Sequence, residues 1–448
     1  MQTSDPTTVR NNLITLAAIL LILAFAQTFP AEKAATVISP DQIVQKALAY
    51  SLLLKTQGQS VRMAAAQRRQ AEAAGGTLID ARFQAAHYNG LNNETLGPAL
   101  TLPVIQDQYA GSVGLTQPLF TGGRIASQER SARLIETASR SSLRAVESDV
   151  VLDALAAYWQ WSKAARSAAA LEAAVTRMKA HATDMANLKK SGMATDNDVL
   201  ASDVLLDQTL LKLDDAQRQV ELARTRLAEL TGEEPGPRQR PEEAGPVSDD
   251  EPIPLGQALS AALSNRTELA AARLQATAAE ASVASARAEA LPQLALSARY
   301  EQGRPNPRDF PPTDEWKGDA YVGATVSWTL LDSGLTRAKT AEAYARAAQA
   351  GLQFQRLKDQ VDTEVKQARI NLVSVRSRTK TAAHAEASAR RNVGVTTDLW
   401  KNGLARHSDV LDAEASLTDA EYQRIAAQAD AAIAEAALRH AIGTLKAP

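Results

Sequence analysis

An internal duplication is the feature of this sequence that most constrains its fold. Gly123 and Gly334 each end a strand-like stretch, "VGLTQPLFTGG" and "ATVSWTLLDSG", and they lie 211 positions apart. The same spacing separates three further pairs of landmarks: Gly192 from Gly403, Gly232 from Gly443, and Ala47 from Ala258. Because chance similarity would not keep one register over the whole chain, the sequence predicts two copies of one structural unit.

The duplication sets the predicted domain boundaries. The first repeat takes residues 27–232 and the second takes residues 255–448. Between them lies "EEPGPRQRPEEAGPVSDDEPIP", residues 233–254, whose prolines and charges exclude a packed helix or a central strand. We interpret this segment as a linker that runs along the surface.

The N-terminal segment, residues 1–26, is predicted to be a secretory signal peptide. Arg10 precedes an apolar run at residues 13–26, and small residues flank Phe25 at a plausible cleavage site. A membrane-spanning helix needs about 20 apolar residues, so an uncleaved anchor is the less favoured alternative.

Composition excludes several classes of function. The formal net charge is −2, from 49 basic and 51 acidic residues, so no overall field favours binding to nucleic acid. The chain has no cysteine, which excludes disulfides, thiolate metal sites and N-terminal lipidation. The motifs of hydrolases, phosphate loops and dinucleotide sites are also missing from the sequence. We therefore expect neither an enzyme nor a cofactor.

Each repeat contains two predicted strands, at about residues 77–90 and 108–120 and again at about 291–302 and 320–331. Apolar residues alternate with polar ones, as in the row Ile79, Ala81, Phe83. This alternation alone fits a soluble sheet packed on a core as well as it fits a membrane sheet. A length of about 10 to 12 residues, however, matches a tilted membrane strand. Four strands cannot close a membrane barrel, because the smallest such barrels have about eight, so several chains would have to contribute.

Very long helices follow the second strand of each repeat. The stretch from Arg124 to about Lys190 contains neither proline nor glycine, and it predicts a helix on the order of 100 Å long. A second helix, at about residues 195–231, should return antiparallel after Gly192, and the same pattern follows Gly334. A shorter helix is predicted to open at Ser39, with Gln42 as its capping-box partner, and to continue to about Gly75. Such long helices must bury their apolar stripes against equally long neighbours.

Several motifs together closely resemble the TolC family of outer membrane efflux proteins. They are the strand-to-helix junctions "GLTQPLFTGGRI" and "TVSWTLLDSGLTRAKTA", the segment "LAAYWQW", and the turns "GMATDNDVLASDVLL" and "GLARHSDVLDAEASL". The resemblance covers nearly the whole chain beyond residue 26 and includes the duplication.

The resemblance implies an α+β membrane protein that works as a homotrimer. Three chains would close a 12-stranded β-barrel in outer membrane lipid, and their helices would continue it as an α-helical tunnel across the periplasm. It also implies export from an inner-membrane pump of the RND, ABC or MFS type through a periplasmic adaptor protein. The alternative is a periplasmic coiled-coil structural or adaptor protein without a membrane barrel.

The junctions between strand and helix contain the residues that such a change of direction needs. Gly122, Gly123 and Gly334 can adopt backbone angles that other residues avoid. Pro118 lacks an N–H donor and suits the end of a strand, whereas the second repeat has Thr329 instead.

The turns that contain Gly192 and Gly403 are expected to form the periplasmic tip. Asp409 and Asp412 lie three residues apart on one helical face and match the acidic pair that surrounds the pore entrance in the family. The solvated face of a helix is the alternative for both. Asp198 and Asp409 are equivalent in the two repeats, so both also fit helix caps.

The resting gate of the family uses a tyrosine and an arginine, and this chain differs at both positions. It has Trp400 at the first, and Ala405, followed by Arg406, at the second. We therefore expect Arg406 or Trp400 to pair with Asp198 across the tip. His407 lies in the same turn, where an exposed histidine is favoured over one that tunes gating with pH.

Overall fold

The computed structural model describes residues 36–90, 94–96, 100–102, 104–236, 238–243, 245 and 253–448. The predicted signal peptide, residues 1–26, lies outside these residues, and so does part of the linker. In the described parts of the chain the helices are α1 (Pro40–Tyr50), α2 (Leu52–Ala73), α3 (Arg124–Lys190), α4 (Asp196–Thr231), α5 (Leu255–Asn265), α6 (Thr267–Ala288), α7 (Leu335–Lys401) and α8 (His407–Ala441). The strands there are β1 (Thr36–Ile38), β2 (Leu78–His87), β3 (Glu94–Leu96), β4 (Leu100–Leu102), β5 (Asp107–Phe120), β6 (Gln239–Pro241), β7 (Gln293–Arg304) and β8 (Lys317–Ser327).

The two longest helices, α3 and α7, each have 67 residues. They begin 211 positions apart and end 211 positions apart, which agrees with the spacing of the sequence landmarks. The absence of proline and glycine between Arg124 and Lys190 therefore predicted the extent of α3 correctly.

The register of the repeat is different in the part that precedes the sheet. Helices α1 and α5 begin 215 positions apart, and so do strands β2 and β7. The alignment of Ala47 with Ala258 is consequently wrong by four residues, and Ala47 corresponds to Ala262. Both of these alanines are fully buried. The change in spacing falls between the paired strands of each repeat, where a connection tolerates a difference in length.

The helix that the sequence predicted from Ser39 is shorter than expected. Its start is confirmed, because Ser39 and Gln42 exchange hydrogen bonds between side chain and backbone. It ends at Tyr50, however, and Ser51 caps α2 by accepting a hydrogen bond from the Leu54 N–H at 3.2 Å. In the second repeat, Arg266 makes the same break with an extended ψ of 116°. The extended backbone between the helices is what the prediction missed.

The main sheet contains four antiparallel strands in the order β2-β5-β7-β8. Its register aligns apolar residues across all four strands on one face, as in the row Ile79, Leu115, Ala298 and Val322. The opposite face contains the row Asp80, Gly114, Arg299 and Tyr321. The apolar face is open to solvent in the single chain, since Ile79 is 68% exposed and Val322 is 77% exposed.

The last strand ends four residues before its predicted limit. Strand β8 ends at Ser327, and Trp328 leaves the ladder and donates a hydrogen bond from Nε1 to the Ala290 carbonyl at 3.1 Å. At the equivalent place in the first repeat, β5 continues through a bulge between Pro118 and Phe120.

The strand-to-helix junctions use left-handed backbone angles. Gly122, Gly123 and Gly334 have φ values of 62°, 85° and 87°. The position equivalent to Gly122 in the second repeat is Ser333, which has a φ of 54°. A Cβ at Gly122 would lie 2.8 Å from the Cβ of Leu291, so glycine is needed there for space as well as for its φ.

The chain forms two compact units, and each unit draws on both repeats. One contains the main sheet and an apolar core in which Val361, Val365 and Leu372 pack with Ala258 and Ala262. The other contains both hairpin turns and a smaller apolar cluster of Ala168, Leu171 and Ala216. Among the residues that the structure describes, no helix has the length and hydropathy to span a bilayer.

The linker is held against the unit that contains the hairpin turns. Its short strand β6 pairs in parallel with β1. The fully buried Tyr158 donates a hydrogen bond to the Ile38 carbonyl at 2.8 Å and accepts one from the Glu242 N–H at 2.7 Å. Burial raises the pKa of Tyr158 to about 12, so its hydroxyl keeps the proton that it donates. Tyr158 thereby joins β1 and the linker to α3.

Candidate functional site

The two hairpin turns end their helices in the same way. After α3, Gly192 has a φ of 75° and the Met193 N–H reaches back to the Leu188 carbonyl at 2.9 Å. After α7, Gly403 has a φ of 74° and the Leu404 N–H bonds to the Leu399 carbonyl at 2.9 Å. A glycine in this conformation satisfies the last carbonyls of a helix. Both turns are therefore specified by local sequence.

The carboxylates of Asp198 and Asp409 cap the helices that follow the turns. Asp198 Oδ2 accepts a hydrogen bond from the Thr195 N–H at 2.9 Å, and Thr195 Oγ1 accepts one from the Asp198 N–H at 3.3 Å. Asp409 Oδ2 accepts one from the Arg406 N–H at 2.9 Å. Hydrogen bonds from the Thr195 side chain and backbone hold the pKa of Asp198 below its ordinary value. Both carboxylates are thus oriented by the start of their own helix.

The remaining residues that were predicted for the gate do not meet within the described chain. Asp412 is exposed, and its side chain forms no ion pair with another described residue. The side chain of Arg406 is also exposed, and no hydrogen bond joins it or Trp400 to Asp198 in the described part of the protein. The pairing of Asp198 with Arg406 or Trp400 across the tip remains a prediction, and so does the role of Asp412 at the pore.

His407 is buried, so the expectation of an exposed turn histidine is wrong. His407 is only 6% exposed, and its Nε2 lies 2.8 Å from the hydroxyl oxygen of Ser202, which is also buried. The indole of Trp400 packs beside it, with ring centroids 5.6 Å apart. His407 therefore connects the first turn of α8 to α4 and to the end of α7.

A signal for this burial was present in the sequence. His407, Val410, Leu411 and Glu414 are all buried, and their spacing is that of one helical face. Because Val410 and Leu411 are apolar, their place on this face predicts that His407 and Glu414, on either side of them, are buried as well. The first repeat did not predict this burial, because the residue equivalent to His407 there is the exposed Asp196.

An ion-pair network continues from the tip along α3 and α8. Glu414 is only 3% exposed, and its carboxylate lies 3.1 Å from Nε of Arg177 and 3.6 Å from Nε2 of His181. Burial acts to raise the pKa of Glu414, but hydrogen bonds and charges from His181 and Arg177 outweigh it and lower that pKa. Arg177 also faces Glu421 at 3.6 Å. The helices near the turns are thus joined by charges as well as by apolar contacts.

The chain is similar to known outer membrane channels along most of its length. It is 23% identical over 350 residues to the outer membrane efflux protein BepC of Brucella suis biovar 1 (strain 1330), a match that covers 77% of this chain and 75% of BepC. It superposes on the outer membrane protein VceC of Vibrio cholerae with a TM-score of 0.77 and 20% identity, covering 90% of this chain and 96% of VceC. For the CmeC channel of Campylobacter jejuni the TM-score is 0.76 at 15% identity, covering 94% and 91% of the two chains.

The fold is therefore that of the TolC-like outer membrane channels. The family model for outer membrane efflux proteins matches residues 43–233 and 258–444, which together are most of both repeats. This chain belongs to the outer membrane efflux protein family. It is located in the outer membrane, with its helical part in the periplasm.

Proposed function

We propose that three copies of this chain form one export channel. The four-stranded sheets of the three copies close a 12-stranded barrel in the outer membrane, and the helical hairpins continue it as a tunnel in the periplasm. An inner-membrane pump of the RND, ABC or MFS type, together with a periplasmic adaptor protein, delivers small molecules or polypeptides to the tip. The observation that carries this proposal is the exposed apolar face of a sheet that continues directly into the long helices α3 and α7.

The apolar face of the sheet has the dimensions of a membrane band. At one end Tyr109 packs with Trp316, with ring centroids 6.2 Å apart, and at the other end lie Phe120 and Trp328. A strand rises about 3.4 Å per residue, so the segment from Tyr109 to Phe120, tilted by about 45°, spans roughly 25 Å. Outer membrane barrels have an apolar band of about that height between two aromatic girdles. None of the described strand residues on this face between the two ends is charged.

The edges of the sheet support closure with other copies. Strands β2 and β8 lie at the two edges and run in opposite directions, because the sheet has four antiparallel strands. The β8 strand of one copy can therefore pair antiparallel with β2 of the next copy. Closure in this way removes the free edges that would otherwise be exposed in the membrane, where unpaired backbone groups are costly.

The acidic residues Asp409 and Asp412 form the pore entrance in this proposal. Three copies would contribute six carboxylates, and a ring of carboxylates favours the passage of cations. Asp198 contacts Arg406 or Trp400 of a neighbouring hairpin when the tip is closed.

Planar bilayer recordings test both the channel and its entrance. The purified protein should require detergent for extraction from the outer membrane fraction, cross-link as a trimer and conduct ions with a preference for cations. Replacement of Asp409 and Asp412 by alanine should lower this preference, as measured by the reversal potential in a salt gradient. Asp203→Ala is the matched control, since this exposed carboxylate lies on α4 near the same tip.

Two results would contradict the proposal in different ways. A fully soluble protein without conductance would favour the alternative, a periplasmic adaptor without a barrel. A conducting trimer whose ion preference does not change in the double variant would retain the channel but remove the acidic entrance.

A further inference from the structure

The contact between His407 and Ser202 joins the two hairpins of one chain at their turns. Ser202 lies on α4, which follows the first turn, and His407 is the first residue of α8, which follows the second. Both residues are nearly inaccessible to solvent. Their 2.8 Å hydrogen bond is therefore a buried polar link between α4 and α8. Any separation of the two turns would have to break this hydrogen bond.

The hydrogen bonds around Ser202 determine which imidazole nitrogen carries the proton. The Ser202 hydroxyl donates to the Asp198 carbonyl at 2.9 Å, so its oxygen accepts from His407. Nε2 of His407 is accordingly the protonated nitrogen of a neutral ring. Nδ1 is buried and has no hydrogen-bond partner among the described residues. A second proton on Nδ1 would create a buried N–H group without an acceptor, which is a costly arrangement.

The charged groups near His407 do not remove this cost. Asp198, from α4, would favour the charged imidazole, whereas His181, from α3, would oppose it. His181 is itself directed at Glu414 on α8. Trp400, from α7, presents a ring that attracts a cation but cannot accept the Nδ1 hydrogen bond in the geometry of an oxygen acceptor. Burial has the largest effect and holds the pKa of His407 below its ordinary value.

We propose that His407 and Ser202 form a proton-sensitive latch between the two hairpin turns, which holds the tip closed at neutral pH and releases it when His407 gains a proton. The proposal rests on the channel function proposed above. A protonated His407 separates from Ser202 and becomes hydrated, and α8 is then free to move away from α4. Acidification of the periplasm thereby favours the open tip.

The direction of the pH dependence follows from the lowered pKa of His407. In the released state the imidazole is hydrated and titrates near the ordinary histidine value of about 6.5. The latched state binds fewer protons, so its stability is fully present above that value and is lost as the pH falls toward the pKa of the buried ring. Each pH unit in this window shifts the equilibrium by up to about tenfold per latch. Between pH 7.5 and pH 5.5 the equilibrium of one latch therefore shifts toward release by at most about tenfold.

Single-channel recordings at pH 7.5 and pH 5.5 test the latch. The wild-type protein should be open more often at pH 5.5 than at pH 7.5. His407→Gln keeps an N–H donor for Ser202 but cannot titrate, so its open probability should be the same at both values. His384→Gln is the matched control, because it removes an exposed histidine from α7, and it should keep the wild-type response.

Other outcomes would overturn the latch. A response that persists in His407→Gln, or one that disappears in His181→Gln alone, would assign the pH dependence to the Glu414 network instead. Ser202→Ala should raise the open probability at pH 7.5, because the buried link is then missing, and an unchanged value would also contradict the proposal.

Absence of conductance at every pH would contradict the proposed channel but not the latch. A second measurement therefore tests the latch without conductance. Deuterium exchange at the imidazole C2 position, followed by mass spectrometry, reports the protonation of each histidine. His407 should titrate below the ordinary histidine value of about 6.5, and Ser202→Ala should move the titration of His407 upward. Titration of His407 at or above the ordinary histidine value would overturn the latch.

Discussion

Replacement of Gly122 by alanine measures how tightly the first strand-to-helix junction is packed. Gly122 and Gly123 both have a left-handed backbone, with φ values of 62° and 85°. A Cβ at Gly122 would lie 2.8 Å from the Leu291 Cβ and 3.1 Å from the Ala288 carbonyl oxygen. A Cβ at Gly123 would meet no atom within 4 Å. Gly123→Ala is therefore a control with similar backbone strain and no collision.

The expected loss of stability differs between the two variants. A left-handed φ costs a residue with a side chain about 1–2 kcal/mol, so Gly123→Ala should lower the free energy of unfolding by that amount. Gly122→Ala should lower it by a further 1–3 kcal/mol or so, which is typical of an overpacked site. The unfolding equilibrium constants of the two variants should then differ by a factor of roughly 5 to 150.

Chemical denaturation of the purified protein in detergent, followed by the helical circular dichroism signal, gives both free energies. The midpoints should fall in the order wild type, Gly123→Ala, Gly122→Ala, with the same slope for all three. Equal losses in the two variants, or a larger loss for Gly123→Ala, would refute the claim that contact with Leu291 requires glycine at position 122.

Three further predictions concern the second junction, the linker and the tip. Ser333→Gly should raise the free energy of unfolding by about 1 kcal/mol in the same denaturation assay, because it relieves a left-handed φ of 54°. Tyr158→Phe should lower it by about 1–3 kcal/mol, because the Ile38 carbonyl and the Glu242 N–H lose a buried partner, while the exposed Tyr50→Phe should leave it unchanged. Asp198→Ala should speed amide exchange at the start of α4, with a local cost of about 1 kcal/mol. Because the pKa of Asp198 is lowered, this difference should be present near neutral pH and should disappear as the pH falls through that pKa.

The long helices and the hairpin turns were predictable because their causes are local. A run without proline or glycine sets the length of α3, and a glycine after it sets the turn at Gly192. The alternation of apolar and polar residues likewise predicted which side of each strand is apolar, and the pairing of Ile79 with Leu115 agrees with it. Resemblance to one family then suggested the trimeric assembly proposed above.

The extended break at Arg266 was not predictable from such local rules. Arg266 is 7% exposed and forms ion pairs with Glu268, two residues later in the chain, and with Glu364 on α7. Its backbone also lies where a Cβ at Gly443 would collide with it. The extended conformation is thus favoured by contacts with residues about 100 and 180 positions away in the chain, which no window of sequence contains.

The sequence by itself determined the duplication, the lengths of α3 and α7 and the two-sided character of the sheet, because each depends on residues that are near one another in the chain. Only the tertiary structure decided that His407 is buried against Ser202 and that Asp198 and Asp409 cap their own helices. The tertiary structure also decided that the spacing of the repeats changes from 215 to 211 positions between the paired strands of each repeat. The physical reason is that burial and pairing depend on what lies opposite a side chain. For His407 that neighbour is a serine 205 positions earlier in the chain.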